Sequence, residues 1–305
     1  MYTKHICYSI LFFIFCSART FPQKQHMADP IKKNMAKDIA VFFHGYSVDH
    51  TYFNPEDIHT CTGNIPWTRI TFKDAPCRRN MFWWRSFNLG QIGDAIQIIS
   101  LFWDIHQHGY TSITAMGHSL GGSALISALH IVMFPEKHKK TWCKIKSLLH
   151  VPEYSLIKKL QKLIMNSNFV FLYPMLSLHI AAYHKCRRRY HLSHISSKLC
   201  ARTFRAMLSI GSSFSIQFDE PIELLRELLS KNIHGLIILC ENDKIVSNDF
   251  DKELLNQTNN HPTWKAKTTD GPNHFSLKHG YSAVQSILQS QPETDKNLQI
   301  SSPYV

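Results

Sequence analysis

The 305-residue chain contains no Cys-x-x-Cys and no His-Glu-x-x-His, although it carries 8 cysteines and 19 histidines. Ligand spacing of the zinc type is missing, so a metal site is not expected. Internal repeats are missing too, which sets repeat architectures aside. The apolar stretch around residues 10–15 is shorter than the roughly 20 residues that a membrane-spanning helix needs. Acids are scarce in one region above all. Residues 137–205 hold fifteen Lys or Arg against a single acid, Glu153, a surplus of fourteen where the whole chain has a net charge of +12. The remainder is close to neutral, so the basicity belongs to one segment. The hydrophobic fraction of 44% is that of a folded protein,.

What is present begins with a leader-like N-terminus. Lys4 and His5 precede the short apolar core, and Cys16-Ser17-Ala18 supplies small residues for cleavage,. Residues 1–18 therefore predict export or membrane association. The competing readings are an uncleaved apolar tail and a true start at Met27, which would leave the protein cytoplasmic. A lipid-modified Cys16 is disfavoured by the bulky Phe15 before it. Residues 19–37 are polar and Lys-rich and read as a linker. Cys61 and Cys77 bracket one loop; they are a bridge in an exported protein or two buried thiols, and spacing alone does not choose.

From residue 38 the pattern alternates. Ile39-Ala40-Val41-Phe42-Phe43 is a continuous apolar run, as expected of a parallel strand covered on both faces. A second strand is predicted over 68–72, and an amphipathic helix over 93–108. A strand at 112–116 and a helix running to Phe134-Pro135 follow, and 145–151 reads as a further strand. Alternation resumes with Leu236-Ile237-Ile238-Leu239-Cys240, a helix over 249–257, a weak strand at 264–268 and a last helix over 275–288. Strand–helix alternation of this kind predicts an α/β fold with a mostly parallel central sheet flanked by helices. The core is assigned to 38–153 and 233–290, with a helical, basic cap or lid inserted over 154–232 and a flexible tail over 291–305.

The chemistry centres on Gly117-His118-Ser119-Leu120-Gly121-Gly122. Gly-x-Ser-x-Gly between a strand and a helix is the nucleophile elbow, whose sharp turn leaves no room for side chains at the flanking positions. Gly117 and Gly121 provide that space, and Ser119 sits at the tip. The helix after it points free N–H groups towards developing negative charge. A serine becomes nucleophilic only when a base takes its proton and a carboxylate orients the base. Elbow enzymes supply these in the order Ser, acid, His. Downstream lie Asp243, on the loop leaving the run that ends at Cys240, and His274, in the turn Asp270-Gly271-Pro272-Asn273-His274. Glu241 and Glu153 compete for the acid, and His279 for the base. The oxyanion hole needs two backbone N–H groups. Leu120 follows the nucleophile, and Tyr46 follows His44-Gly45 at the end of an early strand, with Gly45 in support.

Taken together, the early His-Gly, the Gly-His-Ser-Leu-Gly-Gly, the downstream Asp and the late Gly-Pro-Asn-His resemble the α/β-hydrolase superfamily. The resemblance covers residues 38–288, interrupted by the insertion. It implies a Ser119–Asp243–His274 triad that hydrolyses esters, thioesters, amides or related bonds without a cofactor. Two features depart from the usual pattern: no antiparallel strand pair precedes Ile39, and Asn273 stands where Gly more often precedes the His. The resemblance places a cap where residues 154–205 fall. Their aromatic and aliphatic content suggests an apolar acyl or aryl pocket, hence an acyl-ester substrate as for carboxylesterases and lipases. Asp74-Ala75-Pro76 with Met81-Phe82-Trp83-Trp84-Arg85 resembles, over a short stretch, a loop beside the active site of lysophospholipase/carboxylesterase-type hydrolases. The basic residues of 137–205 either coat a packed helix with a solvated face or attract an anionic membrane surface. No nucleic-acid-binding module is recognisable, so that partner is not expected. A catalytically degenerate fold that binds a membrane or a partner is the alternative function; peptidase and acyltransferase activity share the same triad chemistry.

Overall fold

A computed structural model describes residues 37–45, 50–70, 90–150, 153–176, 221–241, 256–258, 260–270 and 274–290. Six strands form one sheet: β1 (Asp38–Phe43), β2 (Trp67–Ile70), β3 (Ser112–His118), β4 (Asn168–Leu172), β5 (His234–Cys240) and β6 (Trp264–Thr269). Their order is β2-β1-β3-β4-β5-β6, and every neighbouring pair is parallel. Parallel neighbours cannot be joined by hairpins, so the chain must cross over between them, and helices make those crossings. Among the described residues the helices between strands are α1 (Pro55–Thr62), α2 (Gly90–Gln107), α3 (Leu120–Met133), α4 (Lys139–Leu149), α5 (Glu153–Met165) and α6 (Pro221–Leu228), and α7 (Lys278–Ser290) follows β6.

Strand periodicity divides the core into two halves. Ala40, Phe42, Met116, Val170, Leu172 and Ile238 pack with Phe53, Ile58, Ala283 and Val284 beneath α1 and α7. The alternate residues, including Phe43, Phe169 and Phe171, are equally buried. On that second face α2, α3, α5 and α6 contact one another, with α3 common to α2, α5 and α6. All 14 residues of α3 are buried, because neighbouring helices and the sheet cover it all round,. α4 joins this layer through Trp142, whose indole Nε1–H donates to the Ile131 carbonyl at 2.9 Å.

Local chemistry sets several boundaries. Asn54 caps α1 by accepting the Glu56 N–H at 3.2 Å, Pro55 opens the helix, and Gly63 ends it at φ 60°,. Ser167 Oγ accepts the Ile113 N–H at 2.9 Å and so ties the start of β3 to the turn before β4. A Cβ on Gly280 would collide with Met116 and Leu172, so this glycine brings α7 hard against the middle of the sheet. The residues just before α7 are thereby held close to the end of β3.

Two sequence expectations are corrected. Where a strand is expected over 145–151, residues 145–149 are the end of helix α4: Trp142, Ile145 and the partly buried Leu149 recur at helical spacing, and a short apolar run fits either period,. The insertion expected over 154–232 does not begin at 154. Phe169-Val170-Phe171-Leu172 is β4, paired between β3 and β5 at the centre of the sheet, and α5 and α6 pack on α3. Strong local basicity obscured a strand that is itself uncharged. Residues 177–220, the remainder of that segment, lie outside the described residues, as do the leader (1–18), most of the linker and the 291–305 tail. Of the two readings that spacing left open for Cys61, the structure has the buried thiol: Cys61 is free, donates to the Ile58 carbonyl at 3.2 Å, and burial pushes its thiol pKa up to about 11; Cys77 lies outside the described residues. Among the described residues no helix is long and apolar enough to cross a membrane.

Candidate active site

β3 is the deepest element of the sheet, with all seven residues buried and a strand paired on either side. Where it ends the chain reverses direction within one residue. Ser119 has φ 53° and ψ −119°, and α3 starts at the next position. Such a backbone is strained for any residue with a side chain. The surroundings over-determine it. The Ser119 N–H donates to the Leu172 carbonyl at 3.0 Å, extending the β3–β4 ladder, and its carbonyl accepts from Gly122, Ser123 and Met175.

The flanking glycines are required by close approach. A Cβ on Gly117 would sit 2.7 Å from Gly122 Cα and 2.9 Å from the Gly121 carbonyl oxygen. One on Gly121 would strike the carbonyls of Phe43 and His44 at the end of β1. Gly45 completes the arrangement, since a Cβ there would lie 3.0 Å from Ser119 Cβ and 3.1 Å from His118 Nδ1. β1, its following loop and the elbow thus meet backbone to backbone.

Against Ser119 lies His274, in the turn that precedes α7. Its Nε2 is 2.9 Å from Ser119 Oγ. The serine is 5% exposed and the histidine 4%, so the pair is enclosed by protein. For Nε2 to accept the hydroxyl proton, the ring proton must reside on Nδ1. Residues separated by 155 positions are thus brought into hydrogen-bond contact, the geometry that a general base and a nucleophile would need,. The rival His279 lies in the first turn of α7.

The remaining expected parts are distributed unevenly. Leu120 opens α3, where the first-turn N–H groups have no intrahelical acceptor, as an oxyanion donor requires,. Tyr46 and Asp243 lie outside the described residues. The rivals for the acid are now better placed. Glu153 opens α5 instead of following a strand, and Glu241 is exposed at the end of β5 with its N–H bonded to the Thr269 carbonyl at 3.1 Å. After β4 the chain reads Tyr173-Pro174-Met175-Leu176, with no carboxylate. Among the described residues no group of three or more His, Cys, Asp or Glu could hold a metal ion.

Several residues around the pair had no sequence signal. Tyr173 follows β4 at φ 48°, with its N–H on the Ile238 carbonyl at 2.8 Å and its ring 6.0 Å from that of His274. Ser123 Oγ donates to the Met175 carbonyl at 2.6 Å, fastening the first turn of α3 to the segment after β4. His118 was part of the quoted motif without a role. Its Nε2 lies 2.8 Å from the carbonyl oxygen of His274. Tyr52, from the short turn before α1, places its hydroxyl 2.7 Å from the Phe275 carbonyl.

No family profile and no curated protein matches the chain. Solved structures do. An esterase from Pyrococcus furiosus, in two crystal forms, superposes with TM-scores of 0.52 and 0.50 at 13% identity, covering 84% of this chain and 84% and 83% of the other. A lipase-esterase related protein from Clostridium acetobutylicum aligns over 84% of this chain and 94% of its own length, at 12% identity and a TM-score of 0.45. With the sheet order and the elbow, the P. furiosus likeness establishes the fold: this chain has the α/β-hydrolase fold.

Proposed function

We propose that the protein is a serine hydrolase of carboxylic esters, working through an acyl-enzyme. The observation that carries this reading is the 2.9 Å contact between His274 Nε2 and the oxygen of a serine held at φ 53° between β3 and α3. Neither the strained backbone nor the enclosed polar pair is needed for packing, and both are what an acyl-transfer site requires.

In this mechanism Ser119 Oγ attacks the ester carbonyl while His274 Nε2 takes the hydroxyl proton. The tetrahedral oxyanion is stabilised by the N–H of Leu120 and that of Tyr46, the latter assigned from its place after Gly45. Collapse expels the alcohol, which receives its proton from His274. Water then attacks the acyl-enzyme by the same route in reverse. Asp243 is assigned as the carboxylate orienting His274, because Glu241-Asn242-Asp243 directly follows β5, whereas the residues directly after β4, Tyr173-Pro174-Met175-Leu176, include no acid. That the Pyrococcus furiosus protein of this fold is named an esterase supports the ester as substrate class; the fold by itself does not determine it,.

A fluorophosphonate probe should label wild-type protein at Ser119 and leave Ser119→Ala untouched. Labelling of the Ser119→Ala protein would overturn the assignment of the nucleophile. p-Nitrophenyl esters of increasing chain length then define the acyl preference. The reading extends to an anionic surface as the place of action, because Lys137, Lys139, Lys140, Lys144, Lys158 and Lys162 are all exposed,. Binding to phosphatidylserine vesicles that falls steeply with salt would support this extension. Equal binding to neutral vesicles would remove it.

A further inference from the structure

The carbonyls of two consecutive residues, His274 and Phe275, are each held by a side chain from elsewhere in the fold. His118 Nε2 reaches the first at 2.8 Å and Tyr52 Oη the second at 2.7 Å. A carbonyl oxygen only accepts, so His118 carries its proton on Nε2 and Tyr52 donates its hydroxyl. The rings of the two donors also lie against each other, tilted, with centroids 5.3 Å apart and planes inclined by 33°. His118 also lies 5.0 Å from the His274 ring and 6.3 Å from that of Tyr173. Burial, with Tyr173 close by, pushes the Tyr52 phenol well above its ordinary range, so it remains a donor at any working pH.

We infer that Tyr52 and His118 form a clamp that positions His274, and that both are positioning residues for the ester hydrolysis proposed above, on which this inference rests. The two donors come from the elements that carry the rest of the site. His118 is the last residue of β3, immediately before the nucleophile. Tyr52 ends the short turn that begins at His50, five residues beyond Gly45. The backbone of the base is thus tied to the elbow on one side and to the segment after β1 on the other. His274 and Phe275 belong to a turn and not to a strand or helix, so sheet hydrogen bonds do not fix their peptide planes. The clamp fixes two successive carbonyls there, which defines the backbone from which the imidazole projects.

Because the pair does not touch the reacting atoms, its loss should act on the chemical step and leave substrate binding alone. A misplacement of the base by an ångström is enough to cost about a hundredfold. Tyr52→Phe keeps the ring and removes one donor. His118→Leu removes the other, and His118→Gln restores an N–H near the position of Nε2. Expected are a fall in kcat of about tenfold for Tyr52→Phe and about a hundredfold for His118→Leu, each with KM unchanged. The rate of fluorophosphonate labelling at Ser119 should fall in step, and His118→Gln should return to within about threefold of wild type. If His118→Leu does not fold, Tyr52→Phe and His118→Gln decide the matter alone. Wild-type kcat and labelling rate in Tyr52→Phe overturn the clamp while leaving the hydrolase standing, as does a KM effect in place of a kcat effect. A wild-type protein that the probe does not label at Ser119 overturns the hydrolase reading and the clamp with it.

Discussion

Replacing Ser119 by glycine should make the protein more stable than replacing it by alanine. Ser119 sits at φ 53° and ψ −119°, and this ψ is far from the value of about +47° that makes positive φ tolerable in the left-handed basin,. The conformation therefore costs about 3 kcal/mol, the upper end of the range for backbone strain. Ser119→Ala keeps that strain and loses the Oγ–Nε2 hydrogen bond. Ser119→Gly loses the same bond and releases the strain. Against the release stand about 1 kcal/mol of unfolded-chain entropy for glycine and about 0.8 kcal/mol for one buried methyl group. The balance is about 1 kcal/mol in favour of glycine, or about 2–4 °C in Tm for a domain of this size. Urea unfolding followed by circular dichroism, with both variants compared at equal m-values, measures it directly. A Ser119→Gly protein that unfolds at or below the midpoint of Ser119→Ala would refute the claim that the elbow is strained for function.

Three further outcomes follow from the packing and the buried charges. Gly117→Ala would press a methyl onto the backbone of Gly121 and Gly122, which cannot yield as a side chain can; it should cost about 2–3 kcal/mol in denaturant unfolding and abolish labelling of Ser119,. Gly235→Ala should destabilise by a similar amount of about 2–3 kcal/mol while sparing the site. Its Cβ would enter the Trp264 indole, which is fully buried and stacked on Phe171 at 5.7 Å, and thermal unfolding would report the loss,. The third concerns acid. His138 Nε2 lies 2.8 Å from His130 Nδ1, whose ring bonds Glu227 Oε2 at 2.7 Å. Burial and the His130 ring lower His138 from 6.5 to about 4, with Lys137 adding to the effect and Glu136 and Glu227 opposing it. Between pH 6.5 and pH 4 the unfolded chain takes up a proton that the folded one refuses. The stability is therefore complete above pH 6.5, falls as the pH drops towards 4, and loses about 3 kcal/mol in total. His138→Gln should flatten that part of the stability–pH curve, and an unchanged slope would show that the slope comes from other groups.

Much of the site was legible because its chemistry demands particular residues at fixed local spacing. Gly117, Ser119 and Gly121 announce a turn that only small flanking residues permit, and the structure finds each glycine against backbone atoms. His274 was legible from chain order and from its Gly-Pro turn. Elements were harder where periodicity is ambiguous. The run at 145–151 alternates well enough for a strand but residues 145–149 end a helix, while Phe169-Val170-Phe171-Leu172 was hidden within a basic stretch. Charge composition describes a surface, and β4 has none.

The sequence by itself determined the elbow, the strand and helix that flank it and the histidine that meets Ser119, since these depend on local sterics and on residue chemistry. Only the tertiary structure decided that β4 lies between β3 and β5, so that the Leu172 carbonyl receives the Ser119 N–H. It alone decided that Tyr52 and His118 converge on the carbonyls of Phe275 and His274. Such contacts join residues up to 223 positions apart, and their only requirement of the sequence is a donor. No spacing rule encodes them; the close packing of the sheet and its two helix layers does.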